Sequence, residues 1–98
     1  MNLPVEFRHN AAASRFEATV DGQVSVACYH VVDGVMRIHH TGVPRALTGR
    51  GIAARLVEAA IAYAASNHLE VEPWCSYVRT YMKRHPESQS LLPKGFRL

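Results

Sequence analysis

The sequence predicts an α+β fold of α/β-like layout: a mixed sheet, built from an antiparallel meander plus one parallel β-α-β unit, flanked by helices. Three observations carry this reading. Two Asp-Gly pairs punctuate period-two strand patterns in the front half. An alanine-rich segment at helical spacing follows them. A short alternating run that halts at a proline then closes the unit.

Leu3 to His9 is expected to form an N-terminal edge strand, on a short pattern. Residues 16–20 alternate as Phe-Glu-Ala-Thr-Val, and Asp21-Gly22 predicts a tight hairpin turn. Gln23 to Val32 resumes the alternation, with Val24, Val26 and Cys28 on one face and Ala27, Tyr29 and Val31 on the other. Asp33-Gly34 marks the next hairpin. Val35 to Val43 sets Met36, Ile38 and His40 against Val35, Arg37, His39 and Thr41, and Pro44 ends the strand. Gly51 to Asn67 then places Ile52, Leu56, Ala59, Ala60 and Tyr63 on one helical stripe, with Thr48 in the N-cap region and Asn67 as the stop. Leu69 to Glu72 alternates again before Pro73, which makes it a parallel neighbour of the third meander strand across a helical crossover. Cys75 to His85 has helical spacing and closes at Pro86, whereas Glu87 to Leu98 has no clear period.

At 98 residues the chain is expected to form a single domain, residues 1–98, that buries roughly 60–65% of its unfolded surface without staples. Cys28 and Cys75 form no CxxC pair, which favours free thiols and a cytoplasmic setting. Neither a leader pattern nor an apolar stretch of bilayer-spanning length is present, so no membrane partner is expected. The net charge of +3 and pI of about 9.2 suit an anionic partner. Arg45, Arg50 and Arg55 cluster around one glycine-bearing turn, and Arg79, Lys83 and Arg84 lie on the last helix.

The turn Thr48-Gly49-Arg50-Gly51 lies between a strand and a helix, where first-turn N–H groups lack intrahelical acceptors and the helix dipole adds positive charge. Such a place favours an anion. Gly49 and Gly51 leave no Cβ to obstruct a pyrophosphate. The turn lacks the Lys-Ser/Thr of a P-loop and the third glycine of a dinucleotide fingerprint, which argues against nucleoside triphosphates and NAD.

Three ordered motifs carry a resemblance: His40-Thr41-Gly42-Val43-Pro44, then Leu47 to Ala53, then Pro73 to Val78 with Arg84-His85-Pro86-Glu87 behind. Together they resemble the small single-domain, YjdJ-like or N-acetyltransferase-domain-containing branch of the GNAT N-acetyltransferases, over roughly Gln23 to Leu92. The resemblance implies a minimal GNAT fold and acetyl-CoA as cofactor. Gly49-Arg50-Gly51, with the flanking Thr48, Ile52 and Ala53, would bind the pyrophosphate. Thr41, Gly42 and Val43 would lie along the pantetheine arm, and the thioester would end near Cys75 and Ser76. At the position three residues before the first glycine, where the larger superfamily usually carries Gln or Arg, this chain has Ala46.

The implied activity is acetyl transfer to an unidentified amine or protein acceptor, either by direct attack or through Cys75. Cys75 opens the last helix, whose dipole lowers a thiol pKa, and is a candidate nucleophile. His40 is a candidate base and Tyr77 or Tyr81 a candidate acid. A buried structural cysteine is the competing role for Cys75. His39 and His40 are adjacent on a strand and expected to project to opposite faces, and the remaining histidines lack ligand spacing, so no metal site is expected. A CoA-binding or protein-interaction module without transfer is the alternative function. A nucleic-acid module is disfavoured, because the aromatics form no stacking row.

Overall fold

A computed structural model describes residues 4–98. Five strands form one sheet in the order β1-β2-β3-β4-β5. These are β1 (Glu6–Asn10), β2 (Arg15–Val20), β3 (Gln23–Val32), β4 (Val35–Gly42) and β5 (Glu70–Pro73). The first four are antiparallel neighbours, and β5 pairs parallel to β4. Helix α1 (Ile52–Ser66) makes the crossover between β4 and β5, and α2 (Ser76–Arg84) follows β5.

The expected edge strand is present as β1, although Leu3 lies outside the described residues. Both Asp-Gly hairpins form two-residue loops, with Asp21, Gly22, Asp33 and Gly34 all at positive φ. That is the mirror-image turn whose twist matches paired strands. The tail, without period in the sequence, makes a 3₁₀ turn over Pro86–Leu91 that packs Leu91 and Leu92 on the core.

Alternation decides which face is covered. Ala18, Val20, Ala27, Met36, Ile38 and Val71 point to one side of the sheet, where they pack with Leu56, Val57, Ala60 and Ala64 of α1 and Val78 and Met82 of α2. Burying these side chains supplies the main driving force of the fold. Val57 and Ala64 are fully buried, so the core stripe of α1 is wider than the spacing of Ile52, Leu56 and Ala60 alone suggests. Ser25 shares this face, and its buried hydroxyl has no hydrogen-bond partner among the described residues.

One expectation of facing is corrected. Cys28 pairs with His40 and Tyr29 with Ile38, so His39 is an extra residue in β4 that β3 does not match. This bulge resets the alternation. Thr41 pairs with the buried Ala27 and joins the core face of Met36 and Ile38, while His40 pairs with Cys28 on the outer face. His39 also turns outward and stacks on His30 at 4.3 Å, so the two adjacent histidines share a face instead of opposing each other.

Candidate functional site

The parallel pairing of β4 and β5 ends at Ile38 and Pro73, with a last bond from the Trp74 N–H to the Ile38 carbonyl. Beyond it β4 continues to Gly42, still paired with β3, while the chain after β5 turns into α2. The two strands therefore part, and β4 presents one strand edge without a partner strand from His39 onward. Chain reversal through Pro44 and a 3₁₀ turn at Arg45–Leu47 brings α1 back beside this opening.

A groove of about 450 Å³ lies there, lined by Thr41, Gly42 and Val43 on one side and Thr48, Gly49, Gly51, Ile52 and Ala53 on the other. Leu47, buried, and Tyr77, 40% exposed, complete the lining. Most of the residues expected to hold the cofactor thus meet in one place. Arg50 stands exposed between the two glycines but outside the lining, and Cys75 and Ser76 line a separate cleft.

Thr48 does not cap α1. Its hydroxyl donates to the Arg45 carbonyl at 2.8 Å, and the N-cap is Gly51 at φ 74°. Gly49 has φ 82°, and an added Cβ at either glycine would enter open space. The glycines are therefore required by backbone conformation, and the space they leave is the groove itself. The Arg55 N–H donates to the Gly51 carbonyl, but the N–H groups from Gly49 to Ala54 have no acceptor among the described residues. With the helix dipole behind them, these donors fit a phosphate group. Of the three nearby arginines, Arg55 stacks over Phe7 at 4.3 Å. Arg45 and Arg50 make no ion pair among the described residues.

Cys75 has extended backbone immediately before α2, and Sγ lies 3.6 Å from the Thr41 hydroxyl, which is in the groove wall. Burial pushes the thiol up, but hydrogen bonding from Thr41 and from the backbone of Val78, Tyr77 and Thr41 outweighs it, and the pKa falls below the ordinary thiol value. Cys75 forms no side-chain capping hydrogen bond to α2. Cys28 is the opposite case, its thiol raised chiefly by burial.

His40 stands on the outer face of β4, where its Nε2 would meet a Cβ at Gly42 at 3.1 Å. Glycine at 42 makes room for this imidazole. Tyr81 is not brought to the groove: it stacks on His85 at 4.0 Å and lines a pocket with Glu58 and Glu87. Arg79 donates from Nη1 to the Arg97 carbonyl, which ties the tail to α2. Among the described residues no cluster of His, Cys, Asp and Glu suits a metal ion, and no helix is long and apolar enough to cross a membrane.

A sequence profile described as GCN5-related N-acetyl-transferase matches residues 15–91. The chain belongs to this family. Protein NATD1 from Gallus gallus is 31% identical over 91 residues, covering 90% of this chain and 83% of that protein. Protein NATD1 from Homo sapiens is likewise 31% identical, with 80% of its length covered. The solution structure of a GCN5-like protein from Staphylococcus aureus matches with a TM-score of 0.70 at 24% identity, covering 98% of this chain and 92% of the other. The five-stranded mixed sheet with its two helices is accordingly a GNAT fold, and membership of the family supports acyl transfer in general terms. Leu47 is the lining residue that the sequence reading leaves out, although a lone apolar residue in a polar loop signals burial.

Proposed function

We propose that this GNAT domain is an acetyl-CoA-dependent N-acetyltransferase acting on an amine, with Cys75 as first acceptor of the acetyl group. The observation that carries the proposal is the groove where β4 and β5 part, with unpaired N–H donors at one end and the Thr41–Cys75 contact at the other. The donors from Gly49 to Ala54 hold the pyrophosphate, and the free edge of β4 at Thr41 to Val43 holds the pantetheine amides. Bound acetyl-CoA supplies an activated thioester carbonyl.

Cys75 Sγ, favoured as thiolate, bonds to the acetyl carbon as the bond to the CoA sulfur breaks. Tyr77, in the groove lining, gives the departing sulfur a proton. The amine nitrogen then bonds to the acetyl carbon, the bond to Sγ breaks, and the Cys75 thiolate is restored. His40, the candidate base, lines neither the groove nor the cleft beside Cys75, so the proton the amine loses passes to solvent, which also returns one to Tyr77. What favours this route over direct attack is the lowered thiol pKa together with a groove lining free of Asp and Glu. That same lining favours, as a second reading, a CoA-binding module without transfer; amine panels separate the two.

The test is to incubate the protein with acetyl-CoA and map the adduct by peptide mass. One acetyl group on Cys75, absent in Cys75→Ala together with amine acetylation, is the expected result. Full activity in Cys75→Ala would leave direct attack as the route.

A further inference from the structure

The Thr41 hydroxyl in the groove wall touches Cys75, and Cys75 in turn lines a second cleft of about 420 Å³ with Pro73, Trp74, Ser76, Arg79 and Phe96. This size suits a side chain or small molecule. The thiol therefore has a cofactor groove on one side and an open cleft on the other. We infer that this cleft receives the acceptor, and that it selects a primary amine carrying a nearby carboxylate over a polycationic one. The inference rests on the acetyltransferase reading above.

Charge decides the class. Arg79 uses Nη1 on the Arg97 carbonyl, which leaves the rest of its five N–H donors for a ligand. Its guanidinium lies over Phe96 at 5.7 Å, which fixes its orientation. Helix α2 carries Arg79, Lys83 and Arg84 and no acidic residue, and the tail from Ser88 to Leu98 carries Lys94 and Arg97 and none either. The nearest acid in sequence, Glu72, is engaged by Arg37 Nε at 3.2 Å and by Trp74 Nε1 at 2.9 Å. A carboxylate on the acceptor meets Arg79 in a fork geometry, whereas an ammonium-rich acceptor meets like charge there, with Glu72 already held by Arg37 and Trp74. Trp74, 58% exposed, offers an apolar wall for the stem between amine and carboxylate.

The experiment loads Cys75 with acetyl-CoA and then offers four acceptors: free glutamate, and lysine peptides flanked by Glu, Gly or Arg. Glutamate against the Glu-flanked peptide tells a small acceptor from a protein one. The expected kcat/KM order is acidic above neutral above basic, with about tenfold between the extremes, narrowing as salt is raised. Arg79→Glu is expected to invert the order, a ratio that loss of folded protein alone does not move. Equal or better use of the basic peptide by the wild type, or an order unchanged in Arg79→Glu, would overturn the inference while leaving a loaded Cys75 intact. Failure of Cys75 to load would instead overturn the acetyltransferase route, and the acceptor cleft with it.

Discussion

Cys28 and Cys75 share one small molecule with their thiol pKa values displaced in opposite directions. Alkylation followed across pH is expected to show Cys75 reacting with its inflection below the ordinary thiol value and Cys28 above it. Thr41→Val removes the hydroxyl that helps hold the Cys75 thiolate, and its inflection is expected to move up. The sign of the stability linkage follows. A thiol whose folded pKa is lowered contributes stability that is present above its unfolded pKa and lost as pH falls through the folded value. For Cys28 the contribution is present below the unfolded pKa and lost as pH rises. Ser25→Ala is expected to stabilise the protein by about 1 kcal/mol in denaturant unfolding, because it deletes a buried hydroxyl without a partner. Gly51→Ala is expected to cost about 1–2 kcal/mol by placing a Cβ at φ 74°. It also puts a methyl group into the groove at the proposed phosphate position, so acetyl-CoA binding, followed by calorimetry, is expected to weaken with it.

At the scale of elements, the bulge at His39 decides which side chains meet. Deleting His39 leaves Thr41 opposite Ala27 on the core face but removes the local bend and added twist that set the course of β4 beyond Ile38, and with them the placement of Thr41 beside Cys75. Such a variant is expected to keep a cooperative unfolding transition but to lose acetyl-CoA affinity by about tenfold or more, as read by calorimetry. The strands, both hairpins and both helices were legible from period and turn chemistry, since Asp21-Gly22 and Asp33-Gly34 leave few alternatives. The bulge was not legible. His39 and His40 alternate as any strand pair does in sequence, and only the register against Cys28 and Tyr29 shows the extra residue. The start of α1 was legible to within one residue, but its cap was not: Thr48 is a good capping residue, yet the positive φ at Gly49 and Gly51 places the N-cap three residues further on, at Gly51.

Across the whole molecule, one face of the sheet is covered by α1 and α2, and the parting of β4 from β5 opens the groove beside that layer. The groove-lining segment was legible because glycines, a helix start and the motif around Thr41 recur close together in sequence. The second cleft was not, because Trp74 after β5, Arg79 in α2 and Phe96 in a tail without period come from three separate stretches of the chain. Ligand linkage gives a global check: acetyl-CoA at about a hundred times its Kd is expected to stabilise the protein by about 2.7 kcal/mol. The most direct measurement is an NMR titration with acetyl-CoA and with desulfo-CoA, following the amides of Gly49 to Ala54 and of Cys75. The account predicts that both ligands shift the Gly49 to Ala54 amides, and that acetyl-CoA alone goes on to change Cys75 as it becomes acetylated. Amides from Gly49 to Ala54 that stay still under saturating ligand would contradict it.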